Sequence, residues 1–285
     1  MNKEKNQKLR ELIDRPGIVV CAGVYDAISA RIAEQAGFDA IYMTGNGSMA
    51  SLLGVPDVGI GTMTDMAMRC RQISHAVNVP LISDFDNGYG DLIQVKFAVE
   101  AFENAGVSAI HIEDQAMPKK CGAMEGVKLI SAEEMCEKIK VAKAARRDKN
   151  FLICARTDSN VVLGIDETVR RCKMFAEAGA DFIYPEMVRT KEDILKVTKA
   201  VDAPIMYDHF EAGDRNLYST KELENMGIKL VFNALSSTFV VCKQLQKFYK
   251  YYKENGNTLG YLDEMVTREE YENLLGLPDY LNIGK

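Results

Sequence analysis

Short apolar runs rich in Val and Ile recur along the chain, each followed by a longer segment with helical spacing. The runs cover 18–21, 40–43, 79–82, 109–112, 151–154, 182–184, 204–207 and 229–232. Their nearly continuous apolar character marks parallel strands covered on both faces, since a half-exposed strand alternates apolar and polar residues. Between them, 93–105, 132–145, 165–178 and 190–200 place apolar residues three and four apart, as an amphipathic helix requires. The phrases AEQAGFDAIY, FENAGVSAIH and FAEAGADFIY repeat one device: a helix closes at Gly, the chain turns, and a strand begins. Ser131 and Glu134 have the spacing of a capping box. Eight βα units predict a closed (β/α)8 barrel of the TIM type rather than an open sheet. No linker divides 1–285, so a single barrel domain is expected, with 236–285 as a C-terminal helical extension packed outside it or against a neighbouring subunit.

In such a barrel the chemistry sits at the C-terminal ends of the strands. Here those ends are polar in every case after the first. The second leads into Thr44-Gly45-Asn46 and a loop carrying Asp57; the third into Asp84-Phe85-Asp86; the fourth into Glu113-Asp114-Gln115. The fifth ends Arg156-Thr157-Asp158, the sixth at Glu186, the seventh at Asp208-His209 and the eighth at Asn233. If Asp84 and Asp86 alternate along one strand, both project to the same side about 7 Å apart. With Asp57 and Glu113 they form a carboxylate group that repels itself unless a cation compensates. Hard oxygen donors without paired His or Cys favour Mg²⁺, with Mn²⁺ as a substitute, over zinc. The competing reading is capping and turn formation by individual Asp residues beside Gly.

Arg156 follows the apolar run FLICA, where its guanidinium either clamps a substrate carboxylate or pairs internally with Glu186 or Asp158. Gly45 permits close approach of backbone N–H groups to an anionic oxygen. The three histidines lack metal-ligand spacing: His75 and His111 read as structural, and only His209 lies at a strand end.

Composition narrows the partners. With 47% hydrophobic and 27% charged residues the chain is an ordinary globular protein, and its net charge of −6 argues against nucleic acid and anionic membranes. No apolar run reaches the length of a membrane span, and the polar start MNKEKNQKLRELI makes the cytoplasm the expected location. Seven cysteines without a CxxC pair form neither a zinc ribbon nor a disulfide framework. Six flank apolar residues as buried small side chains do. Cys121 differs: it lies in Pro118-Lys119-Lys120-Cys121-Gly122-Ala123, where two lysines are expected to favour the thiolate.

Taken together, LGVPDVG, SDFDNGYG, IEDQ…KKCG, ARTD and PE resemble the isocitrate lyase/phosphoenolpyruvate mutase superfamily over nearly the whole chain, closest to its methylisocitrate lyase and 2,3-dimethylmalate lyase-like branch. The resemblance implies a (β/α)8 barrel that binds Mg²⁺ and a small carboxylate, assembled as a homotetramer exchanging C-terminal helices. It implies Asp84 as the direct metal ligand, with Asp57, Asp86 and Glu113 holding metal-bound waters. It further implies Thr44, Gly45, Asn46, Gly122, Asp208 and Asn233 as substrate contacts, Arg156 as a carboxylate clamp, Glu186 as a polar catalytic residue and Cys121 as the acid/base of carbon–carbon cleavage.

Three positions depart from that branch. Ala123 stands where KKCGH or KRCGH lyases carry His, Asp208 where methylisocitrate lyases carry Asn, and ALSSTFVV lacks the arginine for a distal carboxylate. The last two changes point to a substrate with fewer carboxylates than methylisocitrate. The expectation is therefore a Mg²⁺-dependent lyase cleaving a 2-hydroxy di- or tricarboxylate to pyruvate or another 2-oxo acid plus a carboxylate. Oxaloacetate decarboxylation or hydrolysis, phosphonopyruvate chemistry, and a catalytically decayed 2-oxo-acid-binding protein are the alternatives.

Overall fold

The computed structural model describes residues 2–211 and 217–284. Eight strands form in chain order: β1 Val19–Val24, β2 Ala40–Met43, β3 Leu81–Asp84, β4 Ala109–Glu113, β5 Leu152–Thr157, β6 Phe182–Pro185, β7 Ile205–Asp208 and β8 Ile228–Phe232. All pair in parallel, and β8 returns to β1 to close the barrel. Each expected apolar run lies in or overlaps a strand, and β1, β3 and β5 continue two or three residues further toward their C-terminal ends.

Strand side chains alternate between two cores, which is why the runs read as unbroken. Ile41, Leu81, Ile110, Ile153 and Ile183 face outward into the layer shared with the helices. Ala40, Tyr42, Ile82, Ala109, Leu152, Cys154, Phe182 and Tyr184 face inward and fill the barrel. The bottom of that inner core is sealed by the helix Lys3–Asp14, whose Leu9, Leu12 and Ile13 join it. The helix is pinned by Lys5 Nζ, which donates to Ser74 O at 2.7 Å, and by Asn6 Nδ2, which donates to Asp148 Oδ2 at 3.0 Å.

The repeated helix-to-strand device forms as read. Gly37, Gly106 and Gly179 turn the chain at φ of 89°, 89° and 103°, a region that strains any residue with a Cβ. The Ser131 box also forms: Glu134 N donates to Ser131 Oγ at 3.1 Å while Ser131 N donates to Glu134 Oε2 at 2.8 Å. Beyond β8 the helices Ser236–Asn255, Arg268–Leu274 and Leu277–Leu281 contain no buried residue among those described, and Phe239, Val240, Leu245 and Tyr249 stand exposed. No helix of the described residues is long and apolar enough to cross a membrane.

Leu9→Ala removes apolar volume from the bottom seal and is expected to cost about 2–5 kcal/mol of unfolding free energy. Urea denaturation reads it; a loss below about 0.5 kcal/mol would show that the helix lies outside the cooperative core.

Candidate active site

The inward alternation does not stop at the apolar core. One step of two residues beyond Ile82, His111, Cys154, Tyr184 and Met206 come Asp84, Glu113, Arg156, Glu186 and Asp208. Strand pairing sets Glu113 beside Arg156 and Arg156 beside Tyr184. These five groups line one cavity at the C-terminal rim with Tyr42, Thr44, Asn46, Asp57, Lys119, Lys120, Cys121, Gly122, Ala123 and a largely apolar wall of Phe210, Phe232, Ala234 and Leu235.

Asp84 is fixed from two sides by backbone: Gly45 N donates to its Oδ2 at 3.2 Å and Asp86 N to its Oδ1 at 3.0 Å. A Cβ on Gly45 would fall 2.3 Å from that Oδ2, so only glycine fits there. Burial opposes ionisation of Asp84 but is outweighed by His111, Lys119 and Arg156, leaving its carboxyl below the usual range. Burial itself holds His111 down to about 4, so near neutrality the two permanent cations carry that effect. Thr44 is the N-cap of the helix Gly45–Leu53, with Gly47 N donating to its Oγ1 at 3.2 Å. The positive end of that helix thus faces the cavity, a setting that favours anionic groups.

Asp86 is not on the strand. β3 ends at Asp84, and Asp86 takes a left-handed turn at φ 47°. The expected same-face alternation of Asp84 and Asp86 is therefore corrected: the second carboxylate arrives by way of a turn. It pairs with Lys119 Nζ, which also lies 2.7 Å from Asp57 Oδ1. Burial pushes Asp86 up to about 6 despite that partner. Glu113 is driven well above the carboxylate range, first by burial, and its buried Oε1 has no hydrogen-bond partner.

Arg156 shows both sides of its sequence reading. It lines the cavity, yet its fork is held by Asp158, Nε to Oδ2 at 3.1 Å and Nη2 to Oδ1 at 2.8 Å. Glu113 and Glu186 lie 3.4 and 3.7 Å away, and the guanidinium sits 5.3 Å from the Tyr184 ring centre. Asp158 is itself oriented by Asp114, which accepts from Asp158 N at 3.0 Å, Thr157 Oγ1 at 2.7 Å and Arg171 Nη1 at 2.8 Å.

The Cys121 segment lies over the rim. Cys121 N donates to Asp57 O at 3.1 Å, and the Gln115 side chain brackets Lys120 through its N and O, both at 2.9 Å. A Cβ on Gly122 would meet Asp158 Oδ1 at 2.3 Å and Arg156 Nη2 at 2.4 Å, so the chain approaches the arginine as closely as a backbone can. The expectation that two lysines favour the thiolate is overturned. Lys119 turns to Asp57 and Asp86, Lys120 Nζ donates to Glu125 O, and burial pushes the Cys121 thiol up. The group is a thiol near neutrality, suited to giving a proton.

Not every expected residue lines the cavity. Asn233 Oδ1 accepts from Gly23 N at 2.8 Å, holding β8 to β1, and His209 Nε2 bonds Tyr218 O at 2.8 Å. Gly45 and Asp86 act from behind Asp84 and Lys119. Asp158 pairs with Arg156 as the internal reading allowed, and His111 is structural as expected; sequence reading passed over Tyr42, Tyr184 and Arg189. Tyr42 and His111 hydrogen-bond beneath the site, with His111 Nε2 3.6 Å from Asp84 Oδ1. Tyr184 donates to Glu186, and Arg189 Nη2 lies 3.7 Å from Glu186 Oε1. Counting back by twos from the polar strand ends marks Tyr42, His111 and Tyr184 as inward; Arg189, in a loop, carried no such signal.

A hard divalent cation fits the donors present: Asp57, Asp84, Asp86 and Glu113 offer only oxygen, and Glu113 Oε1 is buried without a partner. Among the described residues no three acid, His or Cys side chains converge as a direct cage, so a cation here would keep much of its water.

The chain is similar to several known proteins along most of its length. The chain is 40% identical over 270 residues to 2,3-dimethylmalate lyase of Eubacterium barkeri, covering 95% of this chain and 93% of that protein. It is 39% identical to 2-methylisocitrate lyase of Aeropyrum pernix, covering 95% and 87%. Oxaloacetate acetylhydrolase bound to 3,3-difluorooxalacetate superposes with a TM-score of 0.93 at 31% identity, covering 99% of this chain and 97% of that one. Phosphonopyruvate hydrolase with oxalate and Mg²⁺ superposes with a TM-score of 0.87 at 28% identity, covering 98% and 97%. With the phosphoenolpyruvate phosphomutase model matching residues 9–251, the chain belongs to that family, within the isocitrate lyase/phosphoenolpyruvate mutase superfamily.

Proposed function

We propose that this protein is a Mg²⁺-dependent carbon–carbon lyase that cleaves an alkyl-substituted 2-hydroxy dicarboxylate, of the 2,3-dimethylmalate kind, to a 2-oxo acid and a simpler carboxylate. The observation that carries the reading is a protonated thiol, Cys121, lining the same cavity as the Asp84–Glu113 carboxylates and Arg156. When bound, the cation supplies Lewis-acid polarisation of the oxo-acid half of the substrate. Asp84, backed by Asp57, Asp86 and Glu113, would hold it.

In the step itself the 2-hydroxyl gives its proton to a carboxylate of the rim and the C2–C3 bond breaks. The electron pair moves onto C3 and its attached carboxylate. The end of the helix Gly45–Leu53 and Arg156 favour the anionic oxygens that result. Cys121 then delivers its proton to C3. Glu186 orients Arg156 and accepts from Tyr184, so its part is positional. Gly122 and the Cys121 segment cover part of the cavity, whose volume is about 50 Å³, room for a few waters. The segment must lift for substrate to enter.

Substrate size and charge follow from the lining. Its cations are all engaged: Lys119 by Asp57 and Asp86, Arg156 by Asp158, and Lys120 by Glu125 O. That leaves neither Arg156 nor Lys120 spare for a third carboxylate. Ala123, Phe210, Phe232, Ala234 and Leu235 instead offer an apolar wall for methyl groups. Asp208 is pushed up to about 7, by burial first and then by Glu186, while Ala234 N donates to its Oδ1. As a neutral acid it can donate to a substrate carboxylate that an ionised Asp would repel. Ala123 and the small cavity also support a second reading, hydrolysis of oxaloacetate. Assembly as a homotetramer exchanging the helices after β8 fits their exposed apolar residues, and the cytoplasm fits a small-carboxylate enzyme.

Incubation with Mg²⁺ and either 2,3-dimethylmalate, 2-methylisocitrate or oxaloacetate separates the readings. Pyruvate from the dimethyl compound is expected; oxalate and acetate from oxaloacetate alone would favour the hydrolase. Cys121→Ser should lower kcat by about a hundredfold or more and leave oxalate affinity unchanged; undiminished turnover removes the thiol from the mechanism. Asp208→Asn tests the raised acid by stability. Wild-type stability is lost as pH climbs from the unfolded carboxyl's value of about 3.9 through the folded value of about 7. The variant's Tm should exceed wild type at pH 8 and the gap should close toward pH 4; a pH-independent gap contradicts the assignment.

A further inference from the structure

The carboxylates of the rim fall into two groups by what neutralises them. Asp84 is fixed by backbone N–H donors that cannot leave. Asp57 and Asp86 share a single ammonium, Lys119 Nζ, 2.7 Å from Asp57 Oδ1 and in contact with Asp86 Oδ1. All three side chains are buried, Lys119 with 4% of its surface exposed. Burying two carboxylates side by side without a counter-charge costs several kcal/mol. The ammonium lies on a flexible four-carbon stem in the same segment as the thiol. Two residues on, Cys121 N is bonded to Asp57 O.

We propose that Lys119 is a built-in counter-ion for Asp57 and Asp86, which a divalent cation must displace, so that cation occupancy and the position of the Cys121 segment are linked. This rests on the metal reading above. A lysine and a hydrated divalent ion compete for the same oxygens because both satisfy them by charge alone. The lysine neutralises the two carboxylates; a divalent ion, stronger in charge, displaces it and with it the segment that carries the thiol. The residue thereby sets a threshold cation concentration for assembling the site.

The test is Mn²⁺ titration followed by the loss of free-ion EPR signal, on the wild-type chain and on Lys119→Met and Lys119→Arg. Removing the competitor in Lys119→Met should tighten Mn²⁺ binding by about tenfold or more, a factor of ten corresponding to 1.4 kcal/mol. Lys119→Arg, which keeps the charge, should stay near wild type. The rise in Tm on adding Mn²⁺ should likewise be larger for Lys119→Met than for wild type. Equal or weaker Mn²⁺ binding by Lys119→Met, with wild type still binding, overturns the counter-ion role and leaves the metal site standing. Absence of Mn²⁺ binding to the wild-type chain overturns the metal reading itself. If Lys119→Met does not fold, Lys119→Gln serves in its place, with the same outcomes deciding.

Discussion

Buried negative charge in excess of its neutralising cations governs the upper rim of this barrel. Asp57, Asp84, Asp86, Glu113, Asp158, Glu186 and Asp208 are all buried there, against Lys119, Arg156 and the less buried Arg189. Taking an ionised carboxylate out of water is costly unless it is paired or hydrogen-bonded. The structure meets that constraint in three ways. Backbone N–H groups hold Asp84, cationic side chains hold Asp57, Asp86 and Asp158, and burial disfavours the charged form of Glu113 and Asp208. Each solution gives the rim a different property: a fixed anionic oxygen, a shared ammonium, a carboxyl whose charge is suppressed.

That arrangement is possible because the barrel delivers its side chains in layers. Apolar inward residues fill the lower part, the helix Lys3–Asp14 closes the bottom, and the next inward position on each of five strands is polar. A buried floor of Tyr42, His111, Tyr184 and Phe232 lies directly beneath. Electrostatic interactions there are poorly screened, and groups placed on strands cannot drift to relieve repulsion.

Much of this was legible in the chain. The apolar runs gave the strands because both faces of each are buried, and the Gly turns marked the helix ends because positive φ excludes most other residues. The rim acids and Arg156 stood out because charge directly after an apolar run has few structural reasons to exist. What was not legible depended on direction rather than identity. Lys119 sits beside Cys121 in sequence, but its ammonium points to Asp57 and Asp86, so the thiol is governed by burial instead. Asp86 appeared to continue a strand that had already ended. Asn233, one residue past the end of β8, turns to Gly23 instead of the cavity. Arg189 reaches Glu186 from a loop, where neither period two nor period 3.6 applies.

The contact of Gly122 with Arg156 and Asp158 has a consequence for how such a site can diverge. With no space for even one carbon at 122, that position cannot change without unseating the segment. Residue 123 borders the cavity and is free to gain or lose a side chain. What the cavity accepts is therefore most open to change at the edge of that segment and at the facing wall of Phe210 and Leu235.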